Sequence, residues 1–201
     1  MGSSMMPVTR ALLVACIAGY LLQAVIGDWL LIRLALWPFG GGIYAPPFEP
    51  WQLVSYAFLH GSLTHLAFNL FALYMFGSEI ERLLGGRRYL IYYTCCVIGA
   101  ALTQLVVAWV TDGEPRPTVG ASGGIFGLLL AFGLAFPNRR LMLLFPPIPM
   151  PAWLFVTLYG ALELILGATG SNTGVAHFAH LGGMAAGFLL IAYWRRRSAR
   201  R

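Results

Sequence analysis

What this chain can fold into is limited above all by a series of apolar runs, each close to the length that crosses a bilayer. They lie near residues 9–27, 64–84, 88–110, 120–137, 152–168 and 175–194. A helix needs about 20 largely apolar residues to cross roughly 30 Å of hydrocarbon. Inside hydrocarbon every backbone N–H and C=O must find its partner within the chain, which a helix achieves alone. The runs predict an all-α integral membrane protein, a six-transmembrane-helix bundle forming a single membrane domain over residues 1–201. Composition agrees, with 59% of the residues apolar and 10% charged, where soluble domains carry about 25% charge.

The net charge of +6 comes with 13 basic residues, all arginine. Their distribution follows a membrane and excludes a nucleic-acid partner. All but Arg33 and Arg116 fall on one side of the proposed spans, in the loops at Arg10, Arg82, Arg87, Arg88, Arg139 and Arg140 and in the C-terminal cluster. The positive-inside rule then puts both termini in the cytoplasm, and the lack of further domains suits a bacterial inner (plasma) membrane. Cys16, Cys95 and Cys96 lie inside spans and read as structural. Leu13-Val14-Ala15-Cys16 resembles a lipoprotein cleavage site, but the apolar run continues past it, so it reads as part of an uncleaved first span.

The outward segment 28–63 carries Trp29, Trp37, Phe39, Tyr44, Phe48 and Trp51, with glycines at 40–42 and Pro46-Pro47. Such aromatics favour the headgroup layer, which predicts an outer-leaflet loop. Anchoring the protein and contacting a partner are equally open roles for it.

Polar side chains deep in a span are costly and mark functional positions. At 1.5 Å per residue, Ser122 lies roughly 25 Å above Arg139, His180 roughly 22 Å above Arg195, and His65 and Asn69 roughly 26 and 20 Å above Arg82. Three helices thus bring polar groups to one level in the outer half of the membrane, in types that match an acyl-transfer site. A serine needs a base in hydrogen-bond reach to become a nucleophile, and histidine suits that role near neutral pH. Ser122 and His180 form the candidate dyad. His65 and Asn69, at i and i+4 on one helix face, would join the Ser122 backbone N–H as oxyanion donors.

Small residues let helices approach closely in lipid. Gly120, Gly124 and Gly127 are expected to face Gly183 and Gly187, which selects His180 over His177 as the base and leaves His177 near the outer rim. Alone, GASGGIFG at 120–127 would read as a packing motif. Its company at the same depth gives it a nucleophile. His60 is expected to anchor a loop, while Gln104 stays open between holding water and an interhelical hydrogen bond. Glu163, placed near mid-membrane, is expected to be protonated or hydrogen-bonded to a neighbouring helix rather than to complete a triad. No HExxH occurs, nor a paired intramembrane acid, so neither a metal nor another cofactor is expected.

These stretches, HGSLTHLAFN (60–69), GSEIERLLG (77–85), GASGGIFG (120–127) and AHLGGMAAG (179–187), occur in an order that resembles the rhomboid family of intramembrane serine proteases. The resemblance covers Trp51 to Gly187. It implies the six-helix rhomboid fold, Ser122 as nucleophile, His180 as general base, His65 and Asn69 as oxyanion donors, and transmembrane protein substrates cut in or beside their membrane segments. It also implies a ring under the imidazole, supplied here by Phe126 where some members have tyrosine. Trp51-Gln52 stands where the family often has Trp-Arg, so that arginine's bracing of the loop is missing. Glu81-Arg82 keeps an acidic and a basic residue at the inner end of span 2. The alternative is a rhomboid-like pseudoprotease that binds transmembrane helices without cutting, although such proteins typically lack the serine or histidine that this chain retains.

Overall fold

The computed structural model describes residues 6–39, 45–111, 116–142, 147–170 and 176–199. Gly40–Gly42 and Tyr44, Asp112 and Glu114, Pro146, Val175, and Arg200 and Arg201 lie outside the described residues. Helices occupy every apolar run. They are α1 (Pro7–Ile26), α4 (Leu63–Ala72) continued through a π-helical turn (Leu73–Gly77) into α5 (Ser78–Leu84), α6 (Gly86–Thr111), α7 (Ser122–Ala135), α8 (Ala152–Ala168) and α9 (His177–Ser198). By length and composition α1 and α6 can each cross a membrane, and α7 and α8 are shorter apolar helices.

The outer segment is more structured than a loop. It holds α2 (Asp28–Leu34), α3 (Gln52–Ser55) and a 3-10 turn (Tyr56–Phe58). Between α7 and α8, strands β1 (Arg140–Met142) and β2 (Pro149–Pro151) pair antiparallel, with Leu141 opposite Met150. β2 begins and ends on prolines, which lack the N–H that a helix interior needs.

Helix ends follow the local chemistry. Pro7 opens α1, where its missing N–H costs nothing. The next two N–H groups are taken from another helix: Glu81 of α5 accepts from Val8 N at 2.9 Å, from Thr9 N at 2.7 Å and from the Thr9 hydroxyl at 2.8 Å. Its neighbour Arg82 turns instead to Glu79, at 2.9 Å, and Glu79 bridges on to Arg139 at 2.9 Å. Adjacent in sequence, Glu81 and Arg82 serve different contacts.

The bundle inverts the usual pattern of a soluble protein. Val25, Trp109 and Leu189 are 84%, 72% and 67% exposed, while the helix buried on all sides, α7, is rich in glycine. Glycine lets α6 and α9 close on it. A side chain on Gly183 of α9 would overlap the Gly123 carbonyl, and one on Gly127 would strike Cys96 of α6. The expected pairing of faces is corrected here. Gly123 and Gly127 face Gly183, whereas Gly124 faces Tyr93 and Val97, Gly187 faces Tyr92, and Gly120 lies before the helix, against the His65 ring. The GxxxG spacing allowed two glycine faces, and only the rotation of α7 between α6 and α9 chooses between them.

Candidate active site

Ser122 is the first residue of α7, and the turn before it is held from outside. Gly120 sits at φ 125°, in a region that favours glycine. Its N–H donates to the Tyr56 carbonyl at 2.9 Å, and the Tyr56 hydroxyl donates to the Val97 carbonyl at 2.8 Å. Burial pushes the Tyr56 phenol up, so it remains a donor. Leu36 and Thr118 exchange backbone hydrogen bonds of 3.0 and 2.9 Å. Gln52, fully buried, accepts from Trp37 N at 3.2 Å and reaches the Pro47 carbonyl at 3.5 Å. The outer segment is thus the mount of the serine turn, and Gln52 supplies the bracing that the missing arginine left open.

His180 Nε2 lies 2.8 Å from Ser122 Oγ. The Phe126 ring stacks on the imidazole, with centroids 4.1 Å apart and planes within 6°. Stacking and hydrogen bonding leave the ring little freedom to tilt. Ser122, His180, His65, Asn69 and Phe126 all line one cavity of about 1250 Å³, bordered by Phe68 and Phe71 of α4 and by Phe155 and Tyr159 of α8.

The oxyanion candidates have readable donors. Ser62 caps α4 by accepting from His65 N at 3.0 Å. Gly61 N donates to His65 Nδ1 at 3.4 Å, so the proton of a neutral ring sits on Nε2. That nitrogen lies 2.8 Å from where a side chain on Gly120 would begin, a point 3.7 Å from Ser122 Oγ. Asn69 Nδ2 gives one hydrogen to the His65 carbonyl at 2.9 Å and has a second to offer the cavity. Ile125 N–H donates to the Ala121 carbonyl at 3.1 Å, and the Ser122 N–H stands at a helix terminus that favours negative charge.

His60 is fully buried and meets His65 edge to face at 5.2 Å between centroids. Burial, with the His65 ring beside it, pushes the His60 imidazole down to about 4. Its backbone does the anchoring: His60 N donates to Gln23 Oε1 at 2.8 Å, and Gln23 Nε2 donates to the His60 carbonyl at 3.3 Å. Gln104 is half-buried on α6 and does not line the cavity.

Glu163 is not isolated near mid-membrane. Its Oε2 lies 2.7 Å from His177 Nδ1 and 2.9 Å from His180 Nδ1. It is hydrogen-bonded to a neighbouring helix as expected, and it also reaches the site. The rise from Pro151 offered a signal, since 12 residues at 1.5 Å put Glu163 roughly 18 Å up, close to Asn69.

The family model described as the Rhomboid domain matches residues 47–197. The chain belongs to the rhomboid family. All four motif stretches of this rhomboid fall inside the match, and the protein is a mostly helical integral membrane protein. It is similar to the rhomboid protease GlpG of Yersinia pestis (strain Pestoides F), 29% identical over 198 residues, which are 97% of this chain and 65% of the relative. The rhomboid protease GlpG of Yersinia enterocolitica serotype O:8 is 29% identical over 196 residues, 96% of this chain and 64% of the relative. This rhomboid spans just under two thirds of the length of these curated relatives.

Proposed function

We propose that this rhomboid is a serine-type endopeptidase that hydrolyses peptide bonds in or beside the transmembrane segments of membrane proteins. The observation that carries the reading is the 2.8 Å contact between His180 Nε2 and Ser122 Oγ at a cavity wall. His180 takes the serine proton as Oγ attacks the scissile carbonyl. The oxygen that becomes negative is stabilised by His65 Nε2–H, Asn69 Nδ2–H and the Ser122 N–H, donors already aimed before reaction begins. Collapse of the tetrahedral intermediate breaks the C–N bond, and His180 returns the proton to the leaving amine. Water then releases the acyl group by the same sequence.

The proposed chemistry lies in the outer half of a bilayer that the chain crosses six times with both termini cytoplasmic, an orientation that the one-sided arginines support. Substrate enters between α4 and α8, where Phe68, Phe71, Phe155 and Tyr159 border the cavity. It unwinds to present its backbone, since a helical peptide bond is shielded and already hydrogen-bonded.

In detergent or proteoliposomes, Ser122→Ala is expected to abolish cleavage of a model transmembrane substrate and labelling by a serine-directed fluorophosphonate, with thermal stability unchanged. Cleavage retained by that variant would sink the reading.

A further inference from the structure

A carboxylate in a membrane helix is expensive unless it is paired. Glu163 is 6% exposed on α8, and its partners are the two imidazoles of the first turn of α9. His177 and His180 stand three residues apart, so both point to the same side of their helix. One carboxylate oxygen, Oε2, serves both, at 2.7 Å from His177 Nδ1 and 2.9 Å from His180 Nδ1.

These separations are those of hydrogen bonds. Two ligands held by one tetrahedral zinc ion at about 2.0–2.1 Å each would stand about 3.3 Å apart, farther than either contact. An ionised carboxylate only accepts hydrogen bonds, so each Nδ1 facing it carries a proton. For His180 this leaves the lone pair on Nε2, the atom 2.8 Å from Ser122 Oγ. The His180 contact is short but bent away from good hydrogen-bond alignment, as in resting sites that tighten around substrate.

We propose that Glu163 is a positioning residue behind His180, fixing its tautomer and balancing the charge it gains, and that His177 holds Glu163 in place. The proposal extends the Ser122–His180 reading and rests on it. When Ser122 Oγ bonds to the substrate carbonyl carbon, the carbonyl π electrons move to oxygen and the serine proton moves to His180 Nε2. The resulting imidazolium keeps its Nδ1 proton, held by Glu163, which stays ionised throughout. The proton on Nε2 later goes to the leaving amine as the C–N bond breaks, so Glu163 exchanges no proton in the cycle. His177 donates to the same oxygen from its own Nδ1, while Phe126 covers the His180 ring face.

Steady-state cleavage of a fluorogenic transmembrane substrate by the full chain tests this, with thermal unfolding measured in parallel. Glu163→Gln keeps the shape but offers an amide to Nδ1 and removes the charge. It is expected to lower kcat by about 10²-fold or more, leaving KM within about twofold and the unfolding midpoint near wild type. His177→Leu is expected to lower kcat about tenfold, and His177→Asn to recover most of that loss, because its amide N–H lies as many bonds from Cα as Nδ1 does.

A Glu163→Gln enzyme with kcat within threefold of wild type overturns the proposal. So does failure of His177→Asn to exceed His177→Leu, a comparison that survives if Glu163→Gln does not fold. Loss of activity in EDTA that zinc alone restores would assign the cluster to a metal instead. Ser122→Ala and His180→Ala separate the two levels: if either retains cleavage, the dyad itself is wrong and the proposal falls with it. If both are inactive while Glu163→Gln is not, only the role of Glu163 is lost.

Discussion

Two buried glutamates lie at opposite ends of this molecule. Glu81, on α5, is fully buried and collects two backbone N–H groups and a hydroxyl from the first turn of α1. Glu163, on α8, is 6% exposed and collects two imidazoles. Glu81 meets its charge with three hydrogen bonds and Glu163 with one hydrogen bond and one short, bent contact, as burial demands. They differ in what the donors can do next. Backbone amides and a threonine hydroxyl hold their protons, so Glu81 ties α1 to α5 and nothing more. An imidazole can accept a second proton on its far nitrogen, so a carboxylate behind it acts on the chemistry beyond.

That contrast breaks most directly at Glu81. Glu81→Gln turns an amide hydrogen toward donors and removes the charge that holds them, which should destabilise the protein by about 3 kcal/mol. Activity per folded molecule should stay within about twofold. Thermal unfolding beside cleavage kinetics checks both, and a selective loss of kcat at unchanged stability would erase the distinction between the two glutamates.

The site around His180 should show the reverse sensitivity to small displacements. Gly183→Ala drives a methyl group into the Gly123 carbonyl and pushes α9 off α7, separating His180 from Ser122. Misplacement by about 1 Å can cost on the order of 10²-fold in rate. We expect kcat to fall by about 10- to 10²-fold, with about 1–3 kcal/mol of stability lost to overpacking. Wild-type kinetics in that variant would show that α7 and α9 can part without cost to the dyad.

A smaller effect sharpens the comparison by pH. His60 has an ordinary value of 6.5 and is pushed down to about 4 by burial and by the neighbouring His65 ring. The unfolded chain therefore binds this proton first, and stability is lost as pH falls from about 6.5 toward 4, with no further loss below. The unfolding midpoint should decline across that window, and His60→Gln should flatten part of the decline. A slope that His60→Gln leaves untouched would assign the acid sensitivity to another group.

Much of the site was legible before any fold was known. Depth counted from the arginines put Ser122, His180, His65 and Asn69 at one level, and all four line one cavity. Glu163 stood apart near mid-membrane, because α8 carries no arginine at its N-terminal end from which to count. Counted from Pro151, it would have joined the others. The neighbours of the glycines were less accessible, because GxxxG pairs at 120/124 and 123/127 are alike in sequence and differ only in which helix each face meets. Gln52 and Tyr56 carried no signal of their roles, since their partners Trp37, Pro47, Val97 and Gly120 meet them only after the outer segment docks.

By itself the sequence determined which stretches become helices and how far along its helix each polar residue lies. Those follow from run length and a fixed rise per residue, which are properties of one helix at a time. The tertiary structure alone decided which residues at that depth touch. Contact depends on the rotation of each helix about its axis and on how closely neighbours approach. Those were set here by glycines at Gly123, Gly127 and Gly183, by the outer segment clamped onto the turn before Ser122, and by one carboxylate oxygen shared between two histidines.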